Sequence, residues 1–167
     1  MKLKEKIQED LNKSLKERNE LKVSVFRLLL ASLLNKEKEK RYKIYRTNAN
    51  IAEKELNKRS QLTEEEVIEV IYSEVKERKE AAFEFEKGKR QELAEKEKKE
   101  MEILKSYLPE QIPAEKIKEL VKEIISKVGA KDQKDMGKVM SQLMPKVKGK
   151  VDGSLVSEIV KELLSLK

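Results

Sequence analysis

The sequence predicts an all-α protein: a bundle of long helical hairpins followed by a small C-terminal three-helix bundle. Three observations carry this expectation. Apolar residues recur at three- and four-residue spacing through most of the 167 residues, and no stretch alternates with the two-residue rhythm of a strand. Charged residues make up 43% of the chain against 38% hydrophobic, which suits helices with one narrow apolar stripe and a wide solvated face. Capping and breaking residues fall where the stripes end.

Leu3, Ile7, Leu11 and Leu15 mark a first helix, with a break at Arg18-Asn19. A second helix carries Leu21, Val25, Leu28, Leu29 and Leu33 on one stripe, widened by Phe26 and Leu30. From Asn35 to Gln61 the stripe thins, and either a helical extension into solvent or a loop fits the pattern. Thr63 followed by Glu66 is a capping box, and the helix it opens buries Val67, Val70, Ile71, Val75 and Ala82. Gly88 breaks that helix. The next runs from Gln91 to Tyr107 with Leu93, Glu97, Met101, Leu104 and Leu108 along one face, where Glu97 is out of keeping.

Pro109 and Pro113 disfavour helix at the residues before them, dividing the chain into domains 1–108 and 109–167. In the second domain Ile117, Leu120, Val121, Ile124, Ile125 and Val128 form a stripe ended by Gly129. Met136, Val139, Met140, Leu143 and Met144 form another, stopped near Pro145. Leu155, Val156, Ile159, Val160, Leu163 and Leu164 form the third, opened by Asp152-Gly153-Ser154. Three such stripes make a small bundle.

Histidine and cysteine are absent, which removes Ser–His–Asp triads, Cys–His pairs, disulfides and the usual zinc sites. The serines sit in helical stretches, and no paired carboxylates are framed by glycine-rich or apolar pocket segments. The chain is therefore not expected to be an enzyme, and no metal or cofactor is expected. Residues 1–20 carry charges throughout, and the apolar run Leu28–Leu34 is too short to span a bilayer. A cytoplasmic protein without a membrane partner is expected.

The net charge is +7 and the isoelectric point near 9.3, which favours an acidic partner such as nucleic acid. Four of the five glycines lie between 129 and 153, interleaved with lysines as Gly137-Lys138 and Gly149-Lys150. Bare backbone beside cationic side chains suits a surface that follows phosphates. Lys146, Lys148 and Lys150 alternate with Val147, Gly149 and Val151, so an extended segment would aim all three to one side. The competing reading is structural: Gly137 permits close helix packing, Gly149 and Gly153 make turns, and the lysines solubilise. This part of the chain has no arginine, which points to backbone contacts and away from base reading. A second basic stretch holds Lys36, Lys38, Lys40, Arg41, Lys43 and Arg46 with Tyr42 and Tyr45. Binding of single-stranded RNA and local packing of a charged helix end both fit it.

The stretch DMGKVM followed by MPKVKGKVDG, with Tyr107-Leu108-Pro109, Arg78-Lys79 and Gly88 before it, resembles the GatB/YqeY family in its stand-alone YqeY-like form. That resemblance implies an all-helical protein whose C-terminal part is similar to the tail domain of the GatB subunit of tRNA-dependent amidotransferases. It implies a tRNA-binding or tRNA-associated accessory role, on Lys134, Gly137, Lys138, Lys146, Lys148, Gly149, Lys150 and Gly153. The alternative is a module that docks on an amidotransferase, an aminoacyl-tRNA synthetase or another translation enzyme. A carbon–nitrogen ligase activity with glutamine as amide donor is a third implication, for which the chain has no room. Between about Asn35 and Gln61 it departs from the family pattern with a longer charged segment.

Overall fold

The computed structural model describes residues 2–110, 112–147, 150–151 and 153–165. These form eight α-helices, with no strand among the described residues. The helices fall into two compact units, Met1–Tyr107 and Leu108–Lys167.

In the first unit α1 (Leu3–Lys16) and α2 (Glu20–Thr47) form a hairpin. The α1 stripe is Ile7, Leu11 and Ser14, while Leu15 is 45% exposed, contrary to the sequence expectation. Residues spaced strictly by four drift about 40° per step around a helix, so the fourth leaves the buried face. Ser14 takes its place and satisfies its hydroxyl by donating to the Asp10 carbonyl at 2.7 Å. On α2 the buried set is Val23, Val25, Phe26, Leu29 and Leu33. Leu28 lies outside it, half exposed at 51%.

The stretch after Asn35 is helical to Thr47, as one of its two readings required, but then breaks over 48–52 and returns as a packed helix that neither reading held. α2 continues to Thr47, and α3 (Glu53–Ser60) turns back and packs on it, burying Leu56. Lys40, Arg41 and Ile44 are half-buried in this part of α2. The Arg41 guanidinium reaches the Asn57 side-chain oxygen and pairs with Glu53.

α4 (Glu64–Lys87) starts at the expected capping box. The Glu66 amide donates to Thr63 Oγ1 at 3.2 Å, and the Thr63 amide donates to the Glu66 carboxylate at 2.7 Å. Thr63→Ala is expected to cost about 1 kcal/mol, read as a lower midpoint in chemical denaturation.

The connection from α4 to α5 (Gln91–Lys105) closes differently from expectation. Gly88 keeps an ordinary φ of −76°, and Lys89 takes the left-handed conformation at φ +56°. The Arg90 amide donates to the Phe85 carbonyl at 2.9 Å. The same closure ends α1, where Arg18 is left-handed at φ +55° and the Asn19 amide donates to Ser14 at 2.9 Å. In both, the backbone bonds and flanking packing hold a residue with a Cβ where glycine is usual. On α5 the buried residues are Ala94, Glu100 and Leu104, not Leu93 and Glu97.

In the second unit α6 (Ala114–Val128) ends at Gly129, left-handed at φ +65°, with the Ala130 amide donating to Ile125 at 3.1 Å. A 3-10 turn at Gln133–Asp135 leads into α7 (Met136–Val147), and α8 (Gly153–Ser165) follows. Ile117, Val121 and Ile124 from α6 meet Val139, Leu143 and Val147 from α7 and Val156, Ile159 and Val160 from α8 in one core. Pro145 does not stop α7, contrary to the sequence expectation. It is exposed inside the helix, where it removes one bond from the ladder. Burial of Val147, worth roughly 1.5–3 kcal/mol, holds the last turn against the core.

Candidate nucleic-acid interface

The described ones among the predicted site residues lie on α7 or just before and after it. Asp132 opens the 3-10 turn by accepting from the Lys134 amide at 2.8 Å. Asp135 accepts from the Lys131 amide at 3.0 Å and from Lys138 Nζ at 2.8 Å. Each aspartate thus orders the approach to the helix. The Lys138 ammonium, then the Lys131 amide, hold the Asp135 carboxyl below its usual value, and Asp135 raises Lys138 in turn. Lys138→Met should return the Asp135 carboxyl towards the ordinary range, which a carbon-detected NMR titration reads directly. The sign follows from linkage: a depressed carboxyl contributes stability above its unfolded pKa of about 3.9, lost as pH falls through the folded value.

α7 exposes Gly137, Lys138, Ser141, Gln142, Pro145 and Lys146 on its outer face. A Cβ built on Gly137 would meet nothing within 4 Å, so close helix packing does not explain this glycine. Lys146 is helical and not part of an extended segment, which corrects the alternation expected from sequence. Lys150 lies exposed in the turn beyond, its amide donating to the Val147 carbonyl at 3.0 Å and its carbonyl accepting from Ile112 at 3.1 Å. Val147 and Val151, the apolar partners in that alternation, are buried in the core. Lys148, Gly149 and Asp152 lie outside the described residues. Gly153 is the first residue of α8, with a built Cβ 3.9 Å from Met144 Cε.

α7 differs from its neighbours in composition. The other seven α-helices all interleave lysine with glutamate, whereas Met136–Val147 contains two lysines and no carboxylate. Its outer face is therefore positive without internal compensation beyond Asp135.

Sequence reasoning missed a buried polar cluster in the first unit. Arg78, 7% exposed, pairs with Glu74 at 2.6 Å and with Glu100 at 3.3 Å. Ser32 of α2 donates to Glu74 at 2.7 Å. The signal was a carboxylate in the α5 stripe, assigned to Glu97 when Glu100 is the one that faces inward. Nearby, Tyr107 donates to Asp10, lies edge-on to Phe26 with ring centroids 5.7 Å apart, and sits under Lys6. Burial, then Asp10, push the Tyr107 phenol well above its ordinary value. It stays protonated, which suits a positioning role and not a base. Among the described residues no three metal-ligating side chains cluster, and no helix is long and apolar enough to cross a membrane.

An all-helical chain with a carboxylate-free lysine–glycine helix in its second unit defines a helical protein with a basic C-terminal surface. The chain belongs to the Yqey-like protein family, whose family model matches residues 33–164. The matched span takes in the charged segment between 35 and 61 and the whole of α7. No curated protein matches the chain.

Proposed function

We propose that the protein is a tRNA-binding or tRNA-associated accessory protein, and that the second unit, as its GatB/YqeY-type domain, makes the contact. The observation that carries this reading is the outer face of α7, where Lys138 and Lys146 stand beside exposed Gly137 with no carboxylate on the helix. Lys134 precedes that face and Lys150 follows it, and Lys148, Gly149 and Gly153 complete the proposed surface. Lysines on a small-residue backbone suit phosphate contacts, which position an RNA without reading its sequence. The absence of arginine from this unit fits the same role. The test is binding of purified tRNA at two salt concentrations against an unstructured RNA competitor. Tight binding that survives the competitor supports the reading. Binding erased by the competitor would turn it towards docking on a translation or transamidation enzyme.

A further inference from the structure

We infer that the distal half of α2 is a second, separate binding face, for single-stranded nucleic acid. Tyr42 and Tyr45 contribute base stacking, and Lys38 and Arg46 contribute phosphate contacts. Residues 38, 42, 45 and 46 follow helical spacing, so they share one face of α2. All four are exposed, and the tyrosines most clearly, at 62% and 51%. Two exposed rings one turn apart offer stacking surfaces about 4.5 Å apart along the axis. The Arg46 guanidinium already lies over the Tyr42 ring at 6.0 Å, the arrangement by which arginine and aromatic groups sandwich a base.

Charge decides the occupant. Six basic and two acidic residues fall between Lys36 and Arg46. Lys36 pairs with Glu39, Lys40 with Glu66, Arg41 with Glu53, and Glu37 with Lys4. Lys38, Lys43 and Arg46 form no ion pair among the described residues. α3 meets α2 through Arg41, which is half-buried against Asn57 and Glu53, while Tyr42 and Tyr45 stay exposed. A second copy of the chain docked here would bring the same uncompensated cations against themselves. An anionic polymer with planar bases matches both the charge and the rings. This face belongs to the first unit, so the inference stands independently of the proposed tRNA surface on α7.

All four tyrosines, at 42, 45, 72 and 107, lie in the first unit and the chain has no tryptophan. Intrinsic fluorescence of the full chain therefore reports on this unit alone. Titration with a short oligouridylate is expected to quench tyrosine emission saturably. In parallel anisotropy measurements Tyr42→Leu/Tyr45→Leu, which keeps the apolar bulk, is expected to weaken binding at least roughly tenfold. Lys38→Glu/Arg46→Glu should weaken it similarly, and a duplex of equal length should bind more weakly than the single strand. Circular dichroism checks that these surface variants fold. Absence of quenching, or unchanged affinity in the leucine variant, overturns the inference. So does a change of oligomeric state in either variant, which would assign the face to a second copy. Displacement of the oligonucleotide by anionic vesicles at equal phosphate would assign it to lipid and overturn it as well.

Discussion

Arg78→Met is expected to destabilise the first unit by about 3–5 kcal/mol, the usual cost of stranding buried charges without their partner. Arg78, Glu74 and Glu100 have side chains exposed by 8%, 13% and 6%, so water cannot replace the guanidinium. Tyrosine fluorescence during urea unfolding measures this unit selectively, and the midpoint should fall by more than roughly 1 M. Arg78→Met/Glu74→Gln/Glu100→Leu should recover most of the loss, because it removes the cost of burying charge and leaves an amide oxygen at position 74 to accept from Ser32. A single variant that costs under about 1 kcal/mol would show that solvent reaches the cluster. The geometry gives the cluster a second consequence. It joins α4 to α5 directly and α2 to α4 through Ser32, so it ties the register of three helices together. The triple variant should accordingly regain stability while its amide hydrogens along α5 exchange faster.

Lys138→Glu/Lys146→Glu/Lys150→Glu is expected to lower tRNA affinity by roughly ten- to a hundredfold at low salt, and to flatten the salt dependence. Each lost phosphate contact reduces the slope of log affinity against log salt by roughly 0.7–0.9. Contacts of this kind are not base-specific, so the loss should be alike across tRNA species. Reversal at Lys138 also places a glutamate three residues after Asp135, with which Lys138 now pairs. Lys138→Gln separates that repulsion from lost RNA contact: it removes the cation without adding a like charge. Unchanged tRNA affinity in both variants would remove α7 from the binding surface, whatever the fate of oligonucleotide binding on α2.

Much of the fold was legible because helix periodicity, caps and breakers are local signals. Thr63 and Glu66 form the capping box their spacing predicted, and Gly129 takes the left-handed cap. The α6 and α8 stripes bury most of the residues that periodicity named, with Leu120, Val128 and Leu163 half-buried and Leu155 exposed. Where the reading slipped, the error was one of helical rotation. Leu15 for Ser14 and Glu97 for Glu100 each mistake a neighbouring face for the buried one. A helix rich in charge and poor in large apolar groups leaves its phase weakly determined. Pro145 misled for another reason: a proline rule describes the backbone alone, whereas Val147 beyond it is buried in the core.

The candidate site divides in the same way. Residue type alone showed a lysine–glycine stretch without arginine, histidine or cysteine. It did not show that Gly137 is open to solvent, that Lys146 is helical, or that Asp135 is engaged by Lys138. The sequence by itself determined helix content, the caps and the charge of each face, since these depend on neighbours a few residues apart. Tertiary structure decided which polar groups go inside. Arg78 meets Glu100 across 22 positions, and Tyr107 meets Asp10 across 97. Burial of a charge is tolerated only where a partner meets it; for Arg78 the local Glu74 is one, and Glu100, the other, is set by how helices pack.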